Sequence, residues 1–295
     1  MKGCFSLILI LFFCTSYGQF KMDSVLIEGH YRTFHYKQPN EQTISNNLIF
    51  ILHGSGGTGE VMMKPAANLQ SIAGRENIFL VYPDGYKRYW NECRKEATSE
   101  ANKEDINEQA FFDAMFRYFI KNYKVNSTRF FVIGLSGGGH MAYKLGITMP
   151  QVCKAISVIV ANLPDTANID CTEKRKPIAV MITNGTDDPL NPYNGGKMIM
   201  NGSSWGEMRS AKRSLHYWAD IAGYKNNPKI EELPNKDTTD KQTITRYRFQ
   251  QKNKPEVTLL QVNDGKHDFP KDIDIFIESW AFFKREMNRL DQANK

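Results

Sequence analysis

Hydrophobic residues in this chain cluster in short unbroken runs separated by polar, periodic stretches. Residues 48–52, 78–82, 129–133, 155–160, 178–182 and 257–262 are each apolar over a strand's length. Runs of that kind suit strands buried on both faces. Between them, residues 60–74, 105–123, 138–149, 207–222 and 272–290 repeat apolar positions at helical spacing. In the second of these, Ile106, Ala110, Met115, Phe119 and Ile120 form the expected core stripe. Strands alternating with helices predict an α/β fold with a mostly parallel sheet covered on both faces.

Two segments depart from that rhythm. Residues 23–37 alternate with period two around Glu28-Gly29-His30, which predicts an N-terminal β-hairpin. Residues 225–256 are polar and rich in Lys and Asn, which reads as a surface excursion, with one strand predicted at 243–249.

The first 18 residues stand outside the pattern. Lys2, the run Leu7–Phe13 and Ser16-Tyr17-Gly18 have the charge, apolar core and small residues of a secretory signal, with cleavage expected near Gly18-Gln19. The expected mature unit, 19–295, reads as a single domain in a periplasm or outside the cell. No stretch of 18 or more apolar residues occurs, so no transmembrane anchor is expected. Cysteines 93, 153 and 171 would remain in an oxidising compartment, and the short separation favours a Cys153–Cys171 bridge. With no Cys-x-x-Cys or His-x-x-x-His pair, a zinc site is not expected. The net charge of +6 is dispersed, which argues against nucleic acid as a partner.

Candidate chemistry lies where strands end. Gly134-Leu135-Ser136-Gly137-Gly138 follows one apolar run and precedes a helix, the setting of a nucleophile elbow, with Ser136 as the nucleophile. The N–H of Gly137, next after the nucleophile, would be one oxyanion donor. The loop His53-Gly54-Ser55-Gly56-Gly57 follows the first buried run and would offer backbone N–H groups as the other. His53 itself is expected to fix that loop. The general base should come late in the chain, and His267 follows the last buried run. The acid should follow the run before it, where Asp187 and Asp188 stand side by side and nothing local separates them. Trp90 and Trp205 fall in expected loops and are candidates to wall a substrate cleft by stacking.

Taken together these pieces resemble the secreted polyhydroxybutyrate-depolymerase and feruloyl or acetylxylan-esterase-like α/β-hydrolases. The segments carrying the resemblance are His53–Gly57, Tyr82-Pro83-Asp84-Gly85, Trp90-Asn91, Gly134–Gly139, Asn162-Leu163-Pro164, Gly185–Pro189, Pro192–Gly196 and Gly265-Lys266-His267. The family's Gly-Thr-x-Asp-Pro pattern puts the acid on Asp188. The resemblance implies an α/β-hydrolase fold and ester hydrolysis through an acyl-enzyme, with Ser136, His267 and Asp188 as the triad. Gly137 and Ser55 would bind the oxyanion, with no metal or organic cofactor. Gly137 replaces the family's usual Asn, Asn184 a His, and Asp268-Phe269 the usual Thr-Trp, with Phe269 keeping an aromatic beside the substrate. The expected partner is an ester, carried on a polysaccharide, a polyester or a small alcohol. A peptidase of prolyl-oligopeptidase type shares the elbow but usually carries a large propeller for which this chain has no room. A non-catalytic binder would lack a triad member, and none is missing.

Overall fold

The computed structural model describes residues 20–37, 46–200 and 202–293. The expected signal segment therefore lies outside the described residues. The hairpin is β1 (Phe20–Ile27) and β2 (His30–Lys37), joined by Glu28 and Gly29, both at positive φ, as a tight hairpin turn requires. There follow β3 (Asn46–Leu52), α1 (Ala67–Ala73), β4 (Ile78–Pro83), the single turn α2 (Glu100–Lys103), α3 (Glu108–Tyr123), β5 (Val125–Leu135), α4 (Gly137–Thr148), β6 (Cys153–Ile159) and β7 (Ala179–Gly185). The chain then makes β8 (Gly196–Met200), β9 (Ser203–Met208), α5 (Ala211–Ile221), β10 (Lys229–Glu232), β11 (Thr243–Phe249), β12 (Val257–Asn263) and α6 (Ile275–Ala293).

Ten strands form one sheet in the order β1-β2-β4-β3-β5-β6-β7-β12-β11-β10. The six strands from β4 to β12 run parallel, and both flanks are antiparallel. The apolar runs make this possible because alternate residues face opposite sides. Leu48, Phe50, Leu52, Phe130, Val132, Val180 and Ile182 enter one core with α3, α4 and α5. Ile49, Ile51, Phe131, Ile133, Ala179 and Met181 enter the other with α1 and α6.

Several expected boundaries shift for local reasons. The helix expected at 60–74 is a 3₁₀ turn at Glu60–Met62 and then α1, because Pro65 in its middle has no N–H to donate. α3 starts late, at Glu108, since the Asn107 side chain caps it by accepting the Ala110 N–H at 3.0 Å. On α3 the core is filled by Phe111, Phe112, Met115, Phe116 and Phe119, whereas Ala110 and Ile120 are half-buried. The helix expected from 207 begins at Ala211 because Ser203–Met208 pairs with β8.

The disulfide also differs from expectation. It joins Cys93 to Cys171, with Cα atoms 5.2 Å apart, and Cys153 is a buried free thiol. Sequence separation misled here. Cys153 opens β6 at one end of the sheet, whereas the chain up to Cys171 is held at the other end, where the Asp170 N–H donates to the Cys93 carbonyl. A strand of seven residues stands between the two thiols.

Candidate active site

Ser55, Ser136, Gly137, Asp188 and His267 each follow the C-terminal end of a strand, on one rim of the sheet. Between β5 and α4 the chain reverses at Ser136, whose φ of 51° and ψ of −114° are rarely adopted by residues with a side chain. Two close approaches explain the neighbouring glycines. A Cβ on Gly134 would strike the Gly138 carbonyl, and one on Gly137 would lie 2.5 Å from Ser55 Oγ and 2.9 Å from Ser55 N. The turn holds the Ser136 N–H on the Ile159 carbonyl at 2.8 Å, and the Ser136 carbonyl accepts the first helical bond of α4 from His140 at 3.0 Å.

Ser136, His267 and Asp188 meet across 131 and 79 residues of sequence. His267 Nε2 lies 2.9 Å from Ser136 Oγ, and its Nδ1 lies 2.7 Å from Asp188 Oδ2. With Nδ1 protonated and donating to the carboxylate, Nε2 is left to accept from the serine hydroxyl. The Asp188 side chain is fully buried and that of His267 is 19% exposed. Asp188 Oδ1 accepts from the N–H groups of Leu190 and Asn191, both at 2.8 Å. The neighbouring Asp187 is exposed and its N–H is tied to the Gly265 carbonyl. Of the two carboxylates, only Asp188 reaches His267.

The loop after β3 brings Ser55 beside Gly137. Gly56 and Gly57 spend their N–H groups on the carbonyls of Arg88 and Gly54. His53 fixes this loop: its Nε2 accepts the Gly85 N–H and its Nδ1 donates to the Gly54 carbonyl, both at 2.8 Å. Burial holds the His53 imidazole below its ordinary pKa, which suits this neutral tautomer. His140 is buried too. Burial, aided by the nearby Arg94 charge, drives its pKa well below the usual value, so it stays neutral.

The three aromatic candidates sit less openly than expected. Trp90 is 3% exposed and works beneath the loop, donating from Nε1 to the His53 carbonyl at 2.9 Å and packing on the His53 ring. Its place is therefore the core, not a cleft wall. Trp205, on β9, is also buried, with the Arg94 guanidinium 4.7 Å over its ring. It lines a cavity of about 260 Å³ with Tyr89 and Met200. Phe269 is half-buried and packs 5.6 Å from Phe276.

Sequence reasoning missed what frames these groups. Arg94 is buried, paired with Glu92 at 2.7 Å, and donates to Met198 Sδ at 2.9 Å, which secures the β8–β9 hairpin. Asn162, Asn184 and Asn191, all fully buried, tie the ends of β6 and β7 to the acid loop. Asn162 lies in a matched segment and Asn184 stands where the family has a His, but nothing in their spacing distinguishes a buried amide from a loop one.

No family model matches the chain. It is similar to the probable feruloyl esterase C of Aspergillus niger, 28% identical over 172 residues, 56% of this chain and 58% of that one. It is similar also to the feruloyl esterase C of Emericella nidulans, 30% identical over 162 residues, 53% of this chain and 54% of the other. The chain thus spans about half the length of the curated relatives it matches. Among solved structures it resembles an acetyl xylan esterase from Aspergillus awamori, with TM-score 0.59 and 15% identity over 89% of this chain and 99% of that one. A Bacillus cereus carboxylesterase gives TM-score 0.53 and 12% identity, covering 86% and 94%. The chain has the α/β-hydrolase fold.

Proposed function

We propose that this feruloyl esterase-like α/β-hydrolase is a serine carboxylic-ester hydrolase that works through an acyl-enzyme. The observation that carries the reading is the hydrogen-bonded run Ser136–His267–Asp188 at 2.9 and 2.7 Å. In this reading Ser136 Oγ attacks the ester carbonyl while His267 Nε2 takes its proton. The N–H groups of Gly137 and Ser55 receive the oxyanion, and the positive end of α4 adds to that stabilisation. His267 then protonates the leaving alcohol, and afterwards draws a proton from water to release the acid. Asp188, shielded from solvent, holds the imidazole and stabilises its charged form.

The substrate is an acyl ester of feruloyl or acetyl type on a polysaccharide, or a short-chain analogue. The similarity to a feruloyl esterase C and to an acetyl xylan esterase supports this over a hydroxyalkanoate polyester. Phe269, two residues after His267, borders the substrate. Residues 19–295 act as one domain, secreted or periplasmic after removal of the first 18. A disulfide suits an oxidising compartment, and among the described residues no helix is long and apolar enough to cross a membrane.

Ser136→Ala tests the reading. Turnover of p-nitrophenyl acetate and methyl ferulate should fall about 10⁴- to 10⁶-fold with the circular dichroism spectrum unchanged. Activity retained by that variant would overturn the assignment.

A further inference from the structure

The segment after β6 touches both halves of the site. Its Ile159 carbonyl accepts the Ser136 N–H, as described above. The next residue, Val160, is a buried β-branched residue at φ 48°, and its N–H donates to the Thr183 carbonyl at 2.8 Å. Such a backbone persists only where the surroundings over-determine it. Two residues on, the Asn162 N–H donates to Asn191 Oδ1 at 2.9 Å. Asn162 Nδ2 donates to the Pro192 carbonyl at 2.8 Å, and its Oδ1 accepts from Asn184 Nδ2 at 2.7 Å.

Asn191 is where this network meets the acid. Its backbone N–H is one of the two that hold Asp188 Oδ1, and its side chain is fastened to Asn162. All three asparagines have no exposed surface. Burying an amide is costly unless its bonds are made, and an apolar residue would fill such a place at lower cost. Here the bonds that are made run between the strand ends and the loop that carries the carboxylate.

We propose that Asn191 is a positioning residue which, through Asn162, fixes the Asp188 carboxylate against His267. The proposal rests on the Ser-His-Asp reading above. Nothing in the amide network bonds to the Ser136 hydroxyl or to the oxyanion loop, so loosening it should leave substrate binding alone and misplace the acid. The charged or titratable groups facing His267 are Asp188 from the acid loop and His140 from α4, with Arg94 near His140. A carboxylate no longer held in place leaves the Nδ1 proton without a fixed acceptor, which the resonance of that proton reads directly.

The experiment compares Asn191→Ala and Asn162→Ala with Ser157→Ala as a control. Ser157 and Ser279 form a fully buried hydroxyl pair at 2.8 Å, so that control removes a buried hydrogen bond elsewhere. Two quantities are read: steady-state kinetics on p-nitrophenyl acetate, and the far-downfield His267 Nδ1 proton resonance in substrate-free protein. Both asparagine variants should lose up to about 10²-fold in kcat, the scale expected of a misplaced catalytic group. KM should stay within about twofold. The resonance should shift or broaden. Ser157→Ala should lower only the melting temperature. If the asparagine variants behave as Ser157→Ala does, or raise KM at constant kcat, the proposal is overturned. Should Asn191→Ala not accumulate, Asn191→Ser and Asn162→Ala are judged by the same readings. The resonance needs no substrate, so an error in the ester reading shows as inactive wild-type protein and is distinct from a failure of Asn191.

Discussion

The body of the sheet and its C-terminal rim are built of opposite materials. In the body, alternate residues of each apolar run enter two cores, so that Phe130 and Val132 face one way and Phe131 and Ile133 the other. At the rim the equally buried residues are polar: His53, Asn162, Asn184, Asp188 and Asn191. Apolar packing is non-directional and tolerates substitutions that conserve volume. Polar burial is held by directional bonds, and each one lost leaves another buried group unpaired. Damage to the body should therefore appear as lost stability, and damage to the rim as lost rate.

The largest separation should come from two adjacent carboxylates. Asp188→Asn should lower kcat about 10⁴-fold by disturbing the His267 tautomer, with the melting temperature little changed. Asp187→Asn, at an exposed position, should leave kcat near wild type. Steady-state kinetics on purified variants decides, and the reverse order would move the acid to Asp187. Next comes a body substitution. Phe131 is fully buried and stacks on Phe283 at 5.1 Å, so Phe131→Ala should cost about 3–5 kcal/mol in chemical denaturation. Its kcat per folded molecule should be preserved, and a rate loss matching that of the rim would erase the contrast.

The smallest effect concerns protons. His53 and His140 are both held below 6.5 by burial and recover that ordinary value on unfolding. Below pH 6.5 the unfolded chain binds more protons than the folded one, so acid favours unfolding. The stability due to these neutral imidazoles is complete above about 6.5 and is lost as pH falls towards their folded values. The slope should approach about 1.4 kcal/mol per pH unit for each. Melting temperatures of wild type and His140→Met between pH 7.5 and 5 check this, because the variant should lose part of the slope.

Much of the body was legible because a strand buried on both faces leaves a continuous run that few other elements produce. The elbow, His267 and the loop at 53–57 were legible from the same punctuation, since each follows such a run. Other features depend on contacts that local pattern does not carry. The β8–β9 hairpin contains Gly196, Gly202, Ser203, Ser204 and Gly206, weak strand formers held by Asn168 and Arg94 from distant loops. The four-residue edge strand β10 is mostly polar. Asp187 and Asp188 differ only in the direction their backbone sends them, and the resemblance, not the spacing, separated them. Trp90 and Trp205 look like ligand platforms when only their residue type is considered. A carbonyl beneath one and a guanidinium over the other give both rings partners within the protein.

The bridge between Cys93 and Cys171 spans 78 residues and closes a covalent ring that contains α3, β5, the Ser136 turn, α4 and β6. One protease cut anywhere inside that ring opens the chain without dividing it. The nucleophile segment stays joined on one side by peptide and on the other through sulfur. In a limited protease digest the nicked form therefore keeps its mass until a reductant is added.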